Sequence, residues 1–170
     1  MAAYEYSRLI KNMPASKMVP ESQYMLAECY YRLSPDYSLD QKYSKKAIEE
    51  LQAFIDFFPT DPKVPDAEKK IAEMNEKLAH KEYYTAYIYT KLEYYNAALS
   101  YYDNVIDNYH DTPYAPLSLY EKIKLLVMRK RNAEALSNIT KFIEKYPNNS
   151  RINELEKMKT SIEDKLSSAK

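Results

Sequence analysis

The chain contains no glycine. Tight β-hairpin turns depend on residues at positive φ, which glycine supplies most readily, so its absence argues against a sheet protein. Every glycine-rich phosphate-binding loop is excluded with it. Cysteine is almost as scarce: Cys29 alone cannot form an internal disulfide. It sits in a helical context without a histidine or cationic setting to lower its pKa, so it reads as a packed core thiol and not a nucleophile. No apolar run approaches the ~18 residues of a membrane span. Neither sign of charge dominates, with 25 basic residues against 25 acidic ones, interspersed along the chain. That lacks the basic stripe of a nucleic-acid binder, and no nucleic-acid partner is expected. The densest basic run, Lys122 to Arg131, reads as a solvated helix end, where cations suit the helix dipole.

What the chain does have is tyrosine, 19 of 170 residues, set in helical periodicity. The stretch from Asp66 to Tyr109 organises the rest. Ala67, Ile71, Met74 and Leu78 recur at steps of four, three and four, one apolar face of an α-helix. From Tyr83 to Tyr89 the apolar residues spread around the helix, which predicts burial between neighbours. A corner at Glu93, Tyr94 and Tyr95 then turns the chain back, and Ala98, Tyr102, Val105, Ile106 and Tyr109 form the returning face. Ala86 and Ala98 are small enough to let the two backbones approach, with Tyr89 and Tyr102 beside them.

That returning face repeats. Ala98, Tyr102, Val105, Ile106 and Tyr109 correspond, 37 residues later, to Ala135, Ile139, Phe142, Ile143 and Tyr146. Upstream the pattern reads Ala47, Leu51, Phe54, Ile55 and Phe58, and at the start Ala2, Tyr6, Leu9, Ile10 and Met13. Three copies end in proline, at Pro14, Pro59 and Pro147. Partner helices fall between them. One covers 19–33 with Tyr24, Ala27, Tyr30 and Tyr31 inward; a turn-rich insertion, 34–40, precedes the helix 41–58. Thr112 as N-cap and Pro113 at the first helical position open the helix 114–128. Another helix starts at Asn132, and Ser150 caps a terminal helix carrying Ile152, Leu155, Met158, Ile162 and Leu166 on one face. The tail, Ser167 to Lys170, is expected to fray. A helix pair with one apolar face must stack on its neighbours, and the nearest repeat in period is the tetratricopeptide repeat of ~34 residues. The fold expected is all-α, a tetratricopeptide-like helical hairpin solenoid (an α-α superhelix). It forms a single domain over 1–170, with a partial repeat at 1–14, repeats at 16–59, 62–110 and 112–147, and a capping helix at 150–167.

Three passages carry a resemblance: Asp66 to Ile71 continuing through Lys77 to Tyr89; Tyr95 to Ala98 leading to Asn108 through Ala115; and the insertion before Ala47. Over roughly Tyr4 to Asn149 the chain resembles the BamD family, lipoprotein subunits of the bacterial outer-membrane β-barrel assembly machinery. The resemblance implies a non-catalytic periplasmic scaffold, attached to the outer membrane only through a lipidated N-terminal cysteine. The partners it implies are the POTRA domains of the barrel-forming subunit and unfolded outer-membrane proteins. No signal peptide or lipobox cysteine precedes Ala2, so the chain is expected to be a piece of a longer protein lacking the anchor and a first repeat. An ion pair of the family finds no matching charge here, because the corresponding turn, near Tyr101, is aromatic. The alternative reading is a generic peptide- or protein-binding tetratricopeptide adaptor unrelated to membrane assembly.

No catalytic, cofactor or metal constellation emerges from the residues. His80 and His110 fall on different elements without a ligand cluster, and adjacent carboxylates such as Glu49 and Glu50 point to different sides of a helix. The expectation is therefore a protein that is not an enzyme and needs no cofactor. Tyr37, Tyr43, Tyr94, Tyr95, Tyr101 and Tyr114 lie off the core pattern or at corners. Tyrosine offers apolar area and a hydrogen bond together, so these six are the candidate partner contacts.

Overall fold

The computed structural model describes residues 2–168. All regular structure among them is helical: α1 (Ala2–Asn12), α2 (Val19–Leu33), α3 (Lys42–Phe57), α4 (Val64–Lys91), α5 (Tyr95–Asn108), α6 (Tyr114–Met128), α7 (Asn132–Lys145) and α8 (Ile152–Ser168). Contacts gather the chain into two compact units, divided in sequence between Lys81 and Glu82, within α4.

In the first unit α1 packs on α2 and α2 on α3. Ala27, Leu51, Phe54 and Ala67 form the buried centre, with the Tyr24 ring edge-on to Phe54 at 5.4 Å. A polar ladder joins α2 to α4. Tyr24 donates to Asp66, Tyr31 to Glu73, and Lys63 pairs with Glu21. Lys70 donates to Glu28 at 2.6 Å, to Asp66 at 2.7 Å and to the Tyr24 hydroxyl at 2.6 Å. Most rungs join residues 42 apart, so the two helices run parallel and in register. Residues 21, 24, 28 and 31 make one helical stripe and residues 63, 66, 70 and 73 the facing one. Burial raises the Glu28 carboxyl's pKa, but hydrogen bonds from Lys70 and Arg32 outweigh that and hold it below its ordinary value.

In the second unit α6 packs on both α5 and α7, and α7 on α8. Ala86 of α4 enters the same core as Ala98 and Tyr102, with Leu119, Ile123 and Leu126 from α6, Phe142 from α7 and Leu155 from α8. Ala86 and Ala98 are wholly buried, as a close crossing of two helices requires. Each large side chain removed from water here contributes about 1.5–3 kcal/mol before conformational entropy is set against it. All five positions of the 37-residue repeat are buried or half-buried in both copies. The Tyr102 hydroxyl, shut in by these walls, has its pKa pushed up to about 12 by burial.

Several expectations need correction. The stretch 83–89 is not buried between neighbours: Ala86 is, but Tyr84, Tyr87 and Ile88 are exposed. Its apolar residues exceed what the one face packed on α5 can cover. α1 buries none of its side chains, and Met13 is 60 % exposed, so this copy of the repeat lacks the enclosed alanine of the others. Cys29 is half-buried. Thr112 does not cap α6; its hydroxyl turns back to donate to the Tyr109 carbonyl at 2.7 Å, and Pro113 occupies the cap position. Before α8, the Asn149 side chain accepts from the Arg151 N–H at 3.0 Å, while Ser150 is exposed. Ser167 and Ser168 belong to α8, and the rest of the expected frayed tail, residues 169 and 170, lies outside the described residues.

Candidate partner-docking site

The corner between α4 and α5 is built by backbone hydrogen bonds. Glu93 N–H donates to the Thr90 carbonyl at 3.2 Å and Tyr94 N–H to the Tyr89 carbonyl at 3.0 Å. This pair of bonds closes a helix when the intervening residue takes a left-handed conformation. Glu93 takes it, at φ +63°. The tight turn leaves Tyr94 as the cap residue of α5, 63 % exposed.

Beside this corner lies a groove of about 780 Å³, lined by Tyr89, Glu93, Tyr94, Tyr95, Asn96, Ala97 and Leu99, with Arg129 and Arg131 across from them. Tyr89 meets the Tyr94 ring edge-on at 6.2 Å and stacks on Tyr101 at 5.3 Å. The Arg129 guanidinium lies over the Tyr95 ring, 4.6 Å from its centre. Arg131 is held by two hydrogen bonds of 2.6 Å to Glu134. Aromatic rings with an arginine among them are the composition that concentrates binding energy at protein interfaces.

The structure gathers only some of the six candidate tyrosines here. Tyr94 and Tyr95 line the groove, and Tyr101 lies behind it through its stack on Tyr89. Burial first, then the neighbouring Tyr89, raises the Tyr101 pKa. Tyr114 packs instead on Tyr83, ring centres 5.7 Å apart. Tyr37 and Tyr43 belong to the first unit: Tyr37 stacks on His80 at 3.7 Å and Tyr43 on Tyr30 at 6.1 Å. Sequence reasoning missed Glu93 and Arg129 as groove residues. Arg129 was hidden in the basic run read as a helix end, although it stands 37 residues after Leu92 at the equivalent corner. A smaller hollow of about 390 Å³ lies between Tyr83, Tyr87, Tyr102, Lys91, Glu121, Lys124 and Met128. Its charges are engaged: Lys124 pairs with Glu121 at 3.1 Å, and Lys91 lies over the Tyr87 ring.

Among the described residues no group of three or more His, Cys, Asp or Glu is placed to hold a metal ion. Among the same described residues no helix is long and apolar enough to cross a membrane.

Helical hairpins with alanines at the crossings and a repeated corner make this a tetratricopeptide-like helical-repeat protein. The family model described as "Outer membrane lipoprotein", YfiO, matches residues 1–132, which include every residue of the groove. The chain belongs to that family. It is 30 % identical over 152 residues to the outer membrane protein assembly factor BamD of Rickettsia prowazekii, covering 86 % of this chain and 61 % of the relative. The Caulobacter vibrioides BamD is 27 % identical over 131 residues, covering 77 % and 43 %. A putative BamD of Aquifex aeolicus is 31 % identical over 134 residues, covering 76 % and 44 %. The chain thus spans between 43 % and 61 % of the length of these relatives.

Proposed function

We propose that the chain acts as a non-catalytic scaffold in assembly of outer-membrane proteins, docking the barrel-forming subunit through its POTRA region and assisting insertion of its substrates. The relatives' role as assembly factors supports the first part. The observation that carries the docking is the corner groove, where an exposed Tyr94 stands beside Tyr95 and Arg129. Aromatic side chains on a rigid helical corner lose little conformational freedom on binding, so their buried area converts efficiently into affinity. In this reading Tyr94 and Tyr95 are direct contacts and Tyr101 holds Tyr89 in place beneath them. Periplasmic location and attachment to the outer membrane in the whole protein belong to the same proposal.

The test is a titration of the chain with the POTRA region from the same organism. Binding that weakens at least about thirtyfold in Tyr94→Ala, the range of an interface hot spot, supports the proposal. Absence of binding by the folded chain refutes it and favours a general peptide adaptor.

A further inference from the structure

We infer that the end of the first unit where α2 meets α3 is a membrane-contact surface. Its leucines and Tyr43 enter a phospholipid bilayer while its lysines meet anionic headgroups. This does not depend on docking at the corner groove. It rests on the reading that the whole protein is attached to the outer membrane, and adds a contact made by the folded chain itself.

The connection between α2 and α3 is inverted, its polar groups turned inward and its large apolar ones outward. Gln41 and Ser44 are buried, and Gln41 donates to the carbonyls of Asp36 at 2.7 Å and Leu39 at 3.0 Å. Ser44 donates to the Gln41 side chain at 2.6 Å, and the Ser34 and Ser44 hydroxyls meet at 2.7 Å. From α4, Lys77 donates to the Ser34 hydroxyl at 2.7 Å and Lys81 to the Leu39 carbonyl at 2.5 Å. The connection so held leaves Leu33, Leu39 and Tyr43 exposed. A surface loop ordinarily does the reverse, because polar side chains favour water and leucines the interior.

Charge supplies the occupant. Lys42, Lys45 and Lys46 flank Tyr43 and make no ion pair among the described residues. Lys46 lies over the Tyr30 ring, 5.1 Å from its centre, and Tyr30 stacks on Tyr43 at 6.1 Å, so cation and rings form one patch. The connection's own carboxylates serve its backbone: Asp36 accepts from the Ser38 N–H at 3.0 Å and Asp40 from the Lys42 N–H at 2.9 Å. The three unpaired lysines, with Lys77 and Lys81 behind them, outnumber these two. Leucine and tyrosine ringed by lysine suit a surface that lies in the interface of an anionic bilayer. Membership of a family of outer membrane lipoproteins puts a bilayer within reach of the patch.

The experiment mixes the full chain with vesicles of phosphatidylcholine, with or without phosphatidylglycerol, and measures co-flotation. Tyr43→Trp adds a reporter to a chain that has no tryptophan. Its emission should shift to the blue with the phosphatidylglycerol vesicles, and binding without that lipid should be at least about tenfold weaker. Leu39→Ser should weaken binding about tenfold. Lys42→Gln with Lys45→Gln should weaken it about twentyfold, at roughly fivefold per lysine, and added salt should act in the same direction. Phe57→Ser, at an exposed position at the other end of α3, should change nothing. Circular dichroism checks that each variant is folded. A folded chain that does not float overturns the inference and leaves docking at the corner groove untouched. Flotation that survives both the Leu39 and the lysine substitutions overturns it as well. So does a blue shift that grows with chain concentration and needs no vesicles, which would assign the patch to a second copy. Fractionation of the whole protein with the outer membrane tests the attachment reading separately.

Discussion

Glu93 and Lys130, 37 residues apart, occupy the same place in two successive helix corners, with φ of +63° and +57°. The residue after each caps the next helix with nearly identical backbone angles: Tyr94 at φ −82°, ψ 63° and Arg131 at φ −83°, ψ 61°. The hydrogen bonds correspond as well. Tyr94 to Tyr89 measures 3.0 Å and Arg131 to Leu126 2.9 Å; Glu93 to Thr90 measures 3.2 Å and Lys130 to Val127 3.0 Å. A chain without glycine thus ends two helices with the motif that glycine usually completes, and each corner carries a steric cost that a Cβ imposes.

Relieving that cost stabilises the fold. Lys130→Gly, at a side chain that makes no ion pair itself among the described residues, should gain up to about 1 kcal/mol, reduced by the greater freedom glycine gives the unfolded chain. Thermal or urea melting checks it. A lower midpoint would contradict the steric account of the corner.

The crossing of α4 and α5 predicts the opposite sign. Ala86 and Ala98 are both fully buried in one core. Ala98→Leu should therefore overpack the crossing and cost about 1–3 kcal/mol. An unchanged melting midpoint would show that the two helices do not approach closely there.

The ladder in the first unit should be visible in acid. Asp66 is held below its ordinary pKa by hydrogen bonds from Lys70 and then Tyr24, and Glu28 is lowered in net despite its burial. A carboxyl lowered by folding contributes stability that is complete above its unfolded pKa and is lost as pH falls through the folded one. The melting midpoint should accordingly drop as pH is taken from about 5 towards 3. Lys70 is raised, so its own contribution is complete below its unfolded pKa and is lost only in strong base, outside that window. Lys70→Met should cost about 2 kcal/mol at neutral pH, because Glu28, its side chain 12 % exposed, loses its main cation. The same variant should shrink the acid-dependent drop. A drop of unchanged size would mean that other carboxylates dominate.

The six tyrosines should separate by stability. Tyr94→Ala leaves the melting midpoint within about 0.5 kcal/mol of the original, as expected of an exposed site. Tyr101→Ala lowers it by about 1 kcal/mol or more through loss of its stack on Tyr89. Equal effects on folding would contradict the division between contact and support.

The repeat itself was legible because packing demands alanine at the crossing and a large apolar side chain four residues on, as at Ala47 and Leu51, Ala98 and Tyr102, and Ala135 and Ile139. Hence the bounds of α2 and α6 were read to the residue, and the pattern from Ala98 to Tyr109 recurred as buried or half-buried positions from Ala135 to Tyr146. Helix starts were less legible. Thr112 and Ser150 have capping chemistry, yet the Thr112 hydroxyl found the Tyr109 carbonyl and Asn149 took the role near α8. Local sequence does not say which of two nearby acceptors or donors will win. The α2–α4 ladder was hidden for a different reason: Glu28 and Lys70 look like ordinary surface charges until two helices are placed in register. Arg129 entered the groove the same way, from a separate helix end brought opposite the tyrosine corner.

Docking at the corner groove is tested most directly by photocrosslinking. A photoreactive phenylalanine analogue is placed at Tyr94, and in a second variant at Phe57, which is 74 % exposed in the first unit. Each is incubated with the POTRA region of the same organism's barrel-forming subunit. The account predicts a covalent adduct from position 94, lost in Arg129→Glu, and none from position 57. Adducts of equal yield from both positions, or an adduct from 57 alone, would contradict it.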